Sequence, residues 1–151
     1  MELNIIKEAR DKFGSPLYIF DLDKLKERVM MIKERVKSAQ CCYAMKANPF
    51  LIKPMNEYVD KYEVCSPGEY EICHRMGIPP EKIVVSGVNK THESMDRIMK
   101  LSGGKGIFTI ESEEHYDILS KVCAEQQTDI KVIIRLSSGN QFGVDKDMFE
   151  H

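Results

Sequence analysis

The sequence predicts an α/β fold, a partial (β/α)8 TIM barrel of about five β/α units preceded by an N-terminal helix and strand. Three observations predict it. Short apolar runs alternate with amphipathic stretches, and the runs start roughly 20 to 25 residues apart, the length of one barrel unit. The stretches between them carry helix start and stop signals. Neither G-x-G-x-x-G nor a P-loop occurs, whereas an open doubly wound sheet, the other architecture that fits the alternation, usually carries such a fingerprint in its first βα turn.

The elements follow in order. A short helix is predicted over Leu3 to Lys12, ended by Gly14 and Pro16. Leu17 to Phe20 is β-prone and short. Asp21 can cap a helix from Leu22 to about Val36, in which Leu25, Val29, Ile32 and Val36 form one apolar stripe. These pieces make a helix-strand-helix segment, residues 1–36, and the barrel portion is residues 37–151. Its apolar runs are Cys41 to Met45, Tyr62 to Cys65, Ile83 to Val85, Gly106 to Ile110 and Ile130 to Leu136. Ser66-Pro67-Gly68-Glu69 reads as a capping box with proline at the first helical position. Gly77 closes that helix and Pro79-Pro80 prevents its continuation. Thr91 and Ser112 are caps for the next two helices, and Gly103-Gly104 closes one of them. Ser102-Gly103-Gly104-Lys105-Gly106 precedes a strand, so it reads as a helix end and turn rather than a phosphate loop. Closing a barrel takes three further units, on the order of 80 residues. The segment from Phe142 to His151 has only begun the next one. The sequence therefore predicts a truncated chain whose open sheet edges favour aggregation of the isolated piece.

Composition bounds the function. With 42% hydrophobic and 30% charged residues, the chain is a globular protein rather than a disordered tail. A formal charge of −2 provides no basic field for nucleic acid or an anionic membrane. No apolar run approaches the ~20 residues of a membrane span. The charged stretch from Met1 to Arg10 lacks the apolar core of a secretory signal. Five cysteines without such a signal point to free thiols in a reducing compartment, and hence to the cytoplasm. There is no C-x-x-C. The adjacent Cys73 and His74 have no second ligand pair at zinc-site spacing, so no metal is expected. Asn89-Lys90-Thr91 matches a glycosylation acceptor, which carries no meaning in a cytosolic chain.

In a barrel, chemistry sits at the C-terminal ends of the strands. Lys46 and Asn48 follow the first run, Ser66 and Glu69 the second, and Ser86, Gly87 and Asn89 the third. Glu111 and Ser112 follow the fourth, and Arg135 lies near the end of the fifth. Lys46 stands out because it directly follows Cys42-Tyr43-Ala44-Met45. A free lysine, with a pKa near ~10.4, is almost wholly protonated at neutral pH and a poor nucleophile. Apolar surroundings or a neighbouring cation would favour its reaction with a carbonyl. An ordinary strand-end lysine is the competing reading. Arg135 lies within Val132-Ile133-Ile134-Arg135-Leu136 and requires a buried partner whatever its role.

Tyr43-Ala44-Met45-Lys46-Ala47-Asn48 resembles the Y-A-V-K-A-N stretch of the diaminopimelate/ornithine/arginine decarboxylase family, the barrel-type (fold type III) enzymes dependent on pyridoxal 5'-phosphate (PLP). Pro16-Leu17-Tyr18-Ile19-Phe20-Asp21 is similar to the family's P-x-Y-V-x-D strand. Glu63-Val64-Cys65-Ser66-Pro67-Gly68-Glu69 resembles its D-x-x-S-x-G-E segment, and Gly77-Ile78-Pro79-Pro80-Glu81-Lys82-Ile83 its G-x-P-P-E-R-I turn. Glu111-Ser112-Glu113 and Ile134-Arg135-Leu136 fall in the family's order, and Phe142-Gly143-Val144 resembles K-F-G-I. The resemblance covers nearly the whole chain.

The resemblance implies a PLP-dependent carboxy-lyase acting on an amino acid as its small-molecule substrate, with a homodimer at full length. It implies that Lys46 holds PLP as a Schiff base and later serves as proton donor. Glu63 and Glu69 would lie near that amine, Arg135 beside the cofactor ring, and Ser66 in a cap or against the cofactor. Glu63 stands where the family has aspartate. The stacking histidine, the glycine-rich phosphate loop, the acid opposite the pyridine nitrogen and the C-terminal β-domain of the family have no counterpart in the chain, which implies an inactive fragment. An alanine racemase-like protein shares the barrel and the lysine, but its Tyr-Gly-His run is replaced here by Asn48-Pro49-Phe50-Leu51. A non-catalytic PLP-binding barrel protein is the third reading. The link Leu136-Ser137-Ser138-Gly139-Asn140-Gln141 is shorter than in typical diaminopimelate enzymes, which points away from that one substrate.

Overall fold

A computed structural model describes residues 2–137 and 143–145. Phe142, the link residues 138–141 and the tail at 146–151 lie outside the described residues. The chain divides into two compact units, Met1–Ala39 and Gln40–His151.

The first unit holds two helices, α1 (Leu3–Phe13) and α2 (Leu22–Arg35). Gly14 ends α1 with φ +84°. Asp21 caps α2 by accepting from the Lys24 amide at 3.1 Å. That bond also holds the Asp21 carboxyl below its ordinary range. Leu17–Phe20, expected as a strand, forms none. Its β-propensity has no partner strand to act on, because this unit contains two helices and no sheet. Of the α2 stripe, Val29 is buried while Ile32 and Val36 are exposed.

The second unit is a five-stranded parallel sheet in the order β1 (Cys42–Ala44), β2 (Lys61–Val64), β3 (Ile83–Val85), β4 (Ile107–Ile110), β5 (Lys131–Ile134). Every neighbouring pair is parallel and sequential, as successive right-handed crossovers produce. The strands were expected within a residue or two of these bounds. The largest difference is at β5, expected to reach Leu136 but ending at Ile134; after β1, Met45–Ala47 forms a 3-10 turn. A second 3-10 turn, Pro49–Leu51, and the short helix α3 (Ile52–Met55) follow it. The other crossovers are α4 (Pro67–Arg75), α5 (His92–Ser102) and α6 (Glu113–Gln126).

The caps predicted from sequence form. The Ser66, Thr91 and Ser112 side chains each accept from the amide three residues on. The Thr91 cap is a reciprocal box with Ser94. The Glu69 carboxylate, however, accepts from the Cys65 amide at 2.6 Å, one residue before the cap, so the predicted box is shifted toward the strand. Gly103 ends α5 in the left-handed region.

Period-two alternation divides the sheet into two faces. Tyr62 and Val64, Ile83 and Val85, and Phe108 and Ile110 point to the helical layer and are buried. They meet Tyr70 and Cys73 of α4, Met95, Ile98 and Met99 of α5, and Leu119 and Val122 of α6, all buried at helical spacing. Full burial of each large apolar side chain stabilises by about 1.5–3 kcal/mol. The Tyr62 hydroxyl donates to the Ile52 carbonyl at 2.6 Å and ties α3 to this core. The opposite face carries Glu63, Thr109 and Ile133. On β5 all four residues are exposed. Among the described residues no helix is long and apolar enough to cross a membrane.

Candidate active site

A cleft of about 810 Å³ opens at the C-terminal ends of the strands. Alternation builds it, because Glu63 and Cys65, Thr109 and Glu111, and Ile133 and Arg135 are each two residues apart and share the face opposite the helices. The loop after β3 adds Ser86 to Asn89, and Lys46 enters from the 3-10 turn after β1. Of the residues singled out from sequence, the structure brings Lys46, Glu63, Ser86, Gly87, Asn89, Glu111 and Arg135 to one cleft. Ser66 and Glu69 are engaged in the α4 cap beside it.

Lys46 has 61% of its side chain exposed. Its Nζ lies 3.8 Å from Glu63 Oε2 and 3.7 Å from Cys65 Sγ. The neighbours are a carboxylate and a thiol, where the sequence reading asked for apolar surroundings or a cation. Glu63 is fixed in turn, since the Ser86 hydroxyl donates to its Oε1 at 2.8 Å. Ser86 also lies 3.4 Å from Cys65 Sγ. The amine therefore sits at the end of a short polar chain that runs across three strand ends.

Arg135 has the buried partner that its sequence position required. Its Nη1 donates to Glu111 Oε2 at 3.4 Å, and the Glu111 side chain is only 5% exposed. Glu111 Oε1 accepts from the Gly87 amide at 3.1 Å and from the Thr109 hydroxyl at 2.9 Å. Beneath it lies Lys90, whose side chain is 1% exposed and whose Nζ is 4.0 Å from Glu111 Oε1. Lys90 donates to the Gly87 carbonyl and to Thr109 Oγ1. Burial pushes the Lys90 ammonium below its ordinary value, against the pull of Glu111. Burial alone would raise the Glu111 carboxyl. The Thr109 hydrogen bond, the Lys90 charge, the Gly87 amide and Arg135 outweigh it and hold the group low.

His115, on the first turn of α6, completes this layer. Its Nδ1 accepts from the Glu111 amide at 3.3 Å, and its Nε2 lies 3.2 Å from the Val88 carbonyl. Those two partners select the neutral tautomer with the proton on Nε2. Burial first, and the Lys90 charge second, lower its pKa.

Sequence reasoning placed Glu111 and Ser86 at the strand ends without giving them a role, and missed Lys90 and His115. Lys90 sits in a loop with no periodicity around it, and nothing local marks a buried ammonium. A signal did exist for Glu111: a carboxylate two residues after a threonine on a β4 face shared with Arg135.

A second cleft, about 420 Å³, lies at the opposite ends of the strands and is lined by Lys61, Glu81, Gly103–Ile107 and Asp129–Lys131. In a β/α barrel that rim carries stability rather than chemistry, and its Lys105–Glu81 pair at 2.9 Å is exposed.

Residues 22–147 match the family model of the pyridoxal-dependent decarboxylases, pyridoxal binding domain. The diaminopimelate decarboxylase of Aquifex aeolicus is 31% identical over 134 residues, covering 87% of this chain and 31% of that protein. That of Campylobacter jejuni is 29% identical over 161 residues, covering 94% of this chain and 40% of the relative. The crystal structure of an Aquifex aeolicus protein superposes with a TM-score of 0.82 at 31% identity, covering 96% of this chain and 36% of that one. The Helicobacter pylori diaminopimelate decarboxylase complexed with L-lysine gives a TM-score of 0.81 at 23% identity, covering 95% and 41%. The sheet is thus a portion of a decarboxylase TIM barrel, not closed within the described residues. The chain spans about a third of the length of the curated relatives it matches. With its family model matched over most of its length, the chain belongs to the pyridoxal-dependent decarboxylases, in their pyridoxal-binding domain.

Proposed function

We propose that this chain is the cofactor-binding portion of a PLP-dependent amino-acid decarboxylase of the diaminopimelate/ornithine class, with Lys46 as the residue that holds the cofactor. The observation that carries the reading is the meeting of the Lys46 amine and the Arg135 guanidinium at one cleft, at the C-terminal ends of parallel strands. The residues present fit PLP. The cleft is within the roughly 300–1,000 Å³ of small-molecule sites, an amine is available for the aldehyde, and a guanidinium offers donors to its oxygens.

When bound, PLP supplies an electron sink for the pair left behind by departing carbon dioxide. The chain's residues supply position and protons. Lys46 binds the cofactor covalently, and its nitrogen is the group placed to carry a proton within the cleft. Glu63, pinned by Ser86, orients that nitrogen. Arg135 presents a charged donor fixed by Glu111. Ser66 and Glu69 hold the turn between β2 and α4, so their contribution is to set where Cys65 and Glu63 stand.

The substrate class is an α-amino acid bearing a second amino group. Diaminopimelate has this form, as does the L-lysine found with a structurally similar decarboxylase, and the putrescine and cadaverine found with another are diamines that lack the carboxylate but keep a distal amine. The test is borohydride reduction of the PLP-treated full-length protein, followed by peptide mapping. The label is expected on Lys46 and is lost in Lys46→Ala. Carbon dioxide release is then measured over a panel of mono- and diamino acids. Label on another lysine rejects the assignment of Lys46. A labelled protein that releases no carbon dioxide is a non-catalytic PLP carrier.

A further inference from the structure

Beneath the cleft lies a layer that the proposed chemistry does not use. Lys90 and Glu111 are both almost fully buried, and each satisfies its charge on the same small set of groups. The two ends of the Gly87 peptide are held at once, with its amide donating to Glu111 and its carbonyl accepting from Lys90. Thr109 lies between the pair, donating to Glu111 and accepting from Lys90. The outer oxygen of Glu111 is left to Arg135. His115 holds the same loop from the other side through the Val88 carbonyl.

We propose that the Lys90–Glu111 pair is the positioning device of the site, holding the Arg135 guanidinium and the 86–89 loop in one fixed frame facing Lys46. The proposal rests on the reading of the cleft as the PLP site. A buried ion pair is a poor source of stability, because the desolvation of both ions offsets their attraction. Its value here is geometric. Glu111 reaches Gly87 after β3, Thr109 in β4 and Arg135 after β5, so one carboxylate sets three strand ends against each other. Lys90 keeps that carboxylate charged and aimed. A glutamine at 111 would turn its amide donors toward Arg135 or Lys90 and could not serve both.

Glu111→Gln alone strands the Lys90 ammonium in the interior and endangers folding. The informative variant is therefore Lys90→Met with Glu111→Gln, which removes both charges together. Cofactor affinity is measured by PLP titration of the intact protein, in the native and the Arg135→Ala backgrounds. The double replacement is expected to weaken binding on the order of tenfold in the native background and by clearly less once Arg135 is absent, the remainder being the part that acts through the 86–89 loop. Equal losses in both backgrounds overturn the proposal. A second readout needs no cofactor. In apo-protein the Arg135 Nε–H signal in nitrogen-15 spectra is expected at a distinct, dispersed position, and to shift in the double variant. An unchanged signal also overturns it. Failure of native protein to take up PLP rejects the reading of the cleft, while the Arg135 signal still decides whether the pair positions that side chain.

Discussion

Gly87 joins the stability of the site to its shape. Its φ is +89°, and a β-carbon there would stand 2.6 Å from the Cys65 carbonyl oxygen, so the residue must be glycine on grounds of both backbone and space. Gly87→Ala is expected to destabilise the protein by roughly 1–3 kcal/mol, read from the denaturation midpoint, and to displace the loop that carries Ser86. His115 gives a pH dependence with a definite sign. Burial and the Lys90 charge lower its pKa in the folded chain, so the unfolded chain binds more protons below the ordinary imidazole value of 6.5. Its contribution is complete above that value and is lost as pH falls through the lowered one. Glu111, also held low, adds a second loss below its ordinary value of 4.5. Stability measured by denaturant against pH should therefore decline in two stages on acidification. His115→Gln should remove the first stage and leave the second.

At the scale of elements, the helices are set by their caps and the strands by their alternation. Ser66, Thr91 and Ser112 each accept from the amide three residues on. Thr91→Ala is expected to cost about 1 kcal/mol, measurable as a lowered midpoint, without altering the cleft, because Thr91 lies outside its lining. Ser66→Ala should cost a similar amount and also loosen the turn that Glu69 ties to Cys65. These helix starts were legible because a cap is a local event: the side chain and the amide it satisfies are three residues apart. The β1 end was less legible, because an apolar run does not specify where pairing stops. The β1–β2 register extends only from Cys42 to Ala44, so Met45 and Lys46 fall into a 3-10 turn. Leu17–Phe20 was misread for the related reason that strand propensity expresses itself only beside another strand.

For the whole molecule, β5 is the consequential element. Val132, Ile133 and Ile134 are all exposed, and no strand pairs with the outer edge of β5 among the described residues. Such an edge invites another strand. The 151-residue chain by itself is expected to self-associate in light scattering, and replacing Val132 and Ile134 with lysine should suppress this. Native chain that stays monomeric and melts cooperatively would contradict the expectation. Gly143 closes the end of β5, with φ +121° and a β-carbon position 2.7 Å from the Ser137 amide nitrogen. It therefore shapes the backbone immediately after Arg135.

The alternation of strands and helices and the positions of the caps could be read directly from the amino-acid sequence. Both follow from periodicity and local hydrogen bonding, which operate over a few residues. Only the tertiary structure decided that Glu111 is the partner of Arg135, that Lys90 lies buried beneath them and that His115 is neutral. Each of these depends on residues about 20 or more positions apart being brought to one end of the sheet. Burial, which sets the strength of their charges, is a property of the assembled layers and of no segment alone.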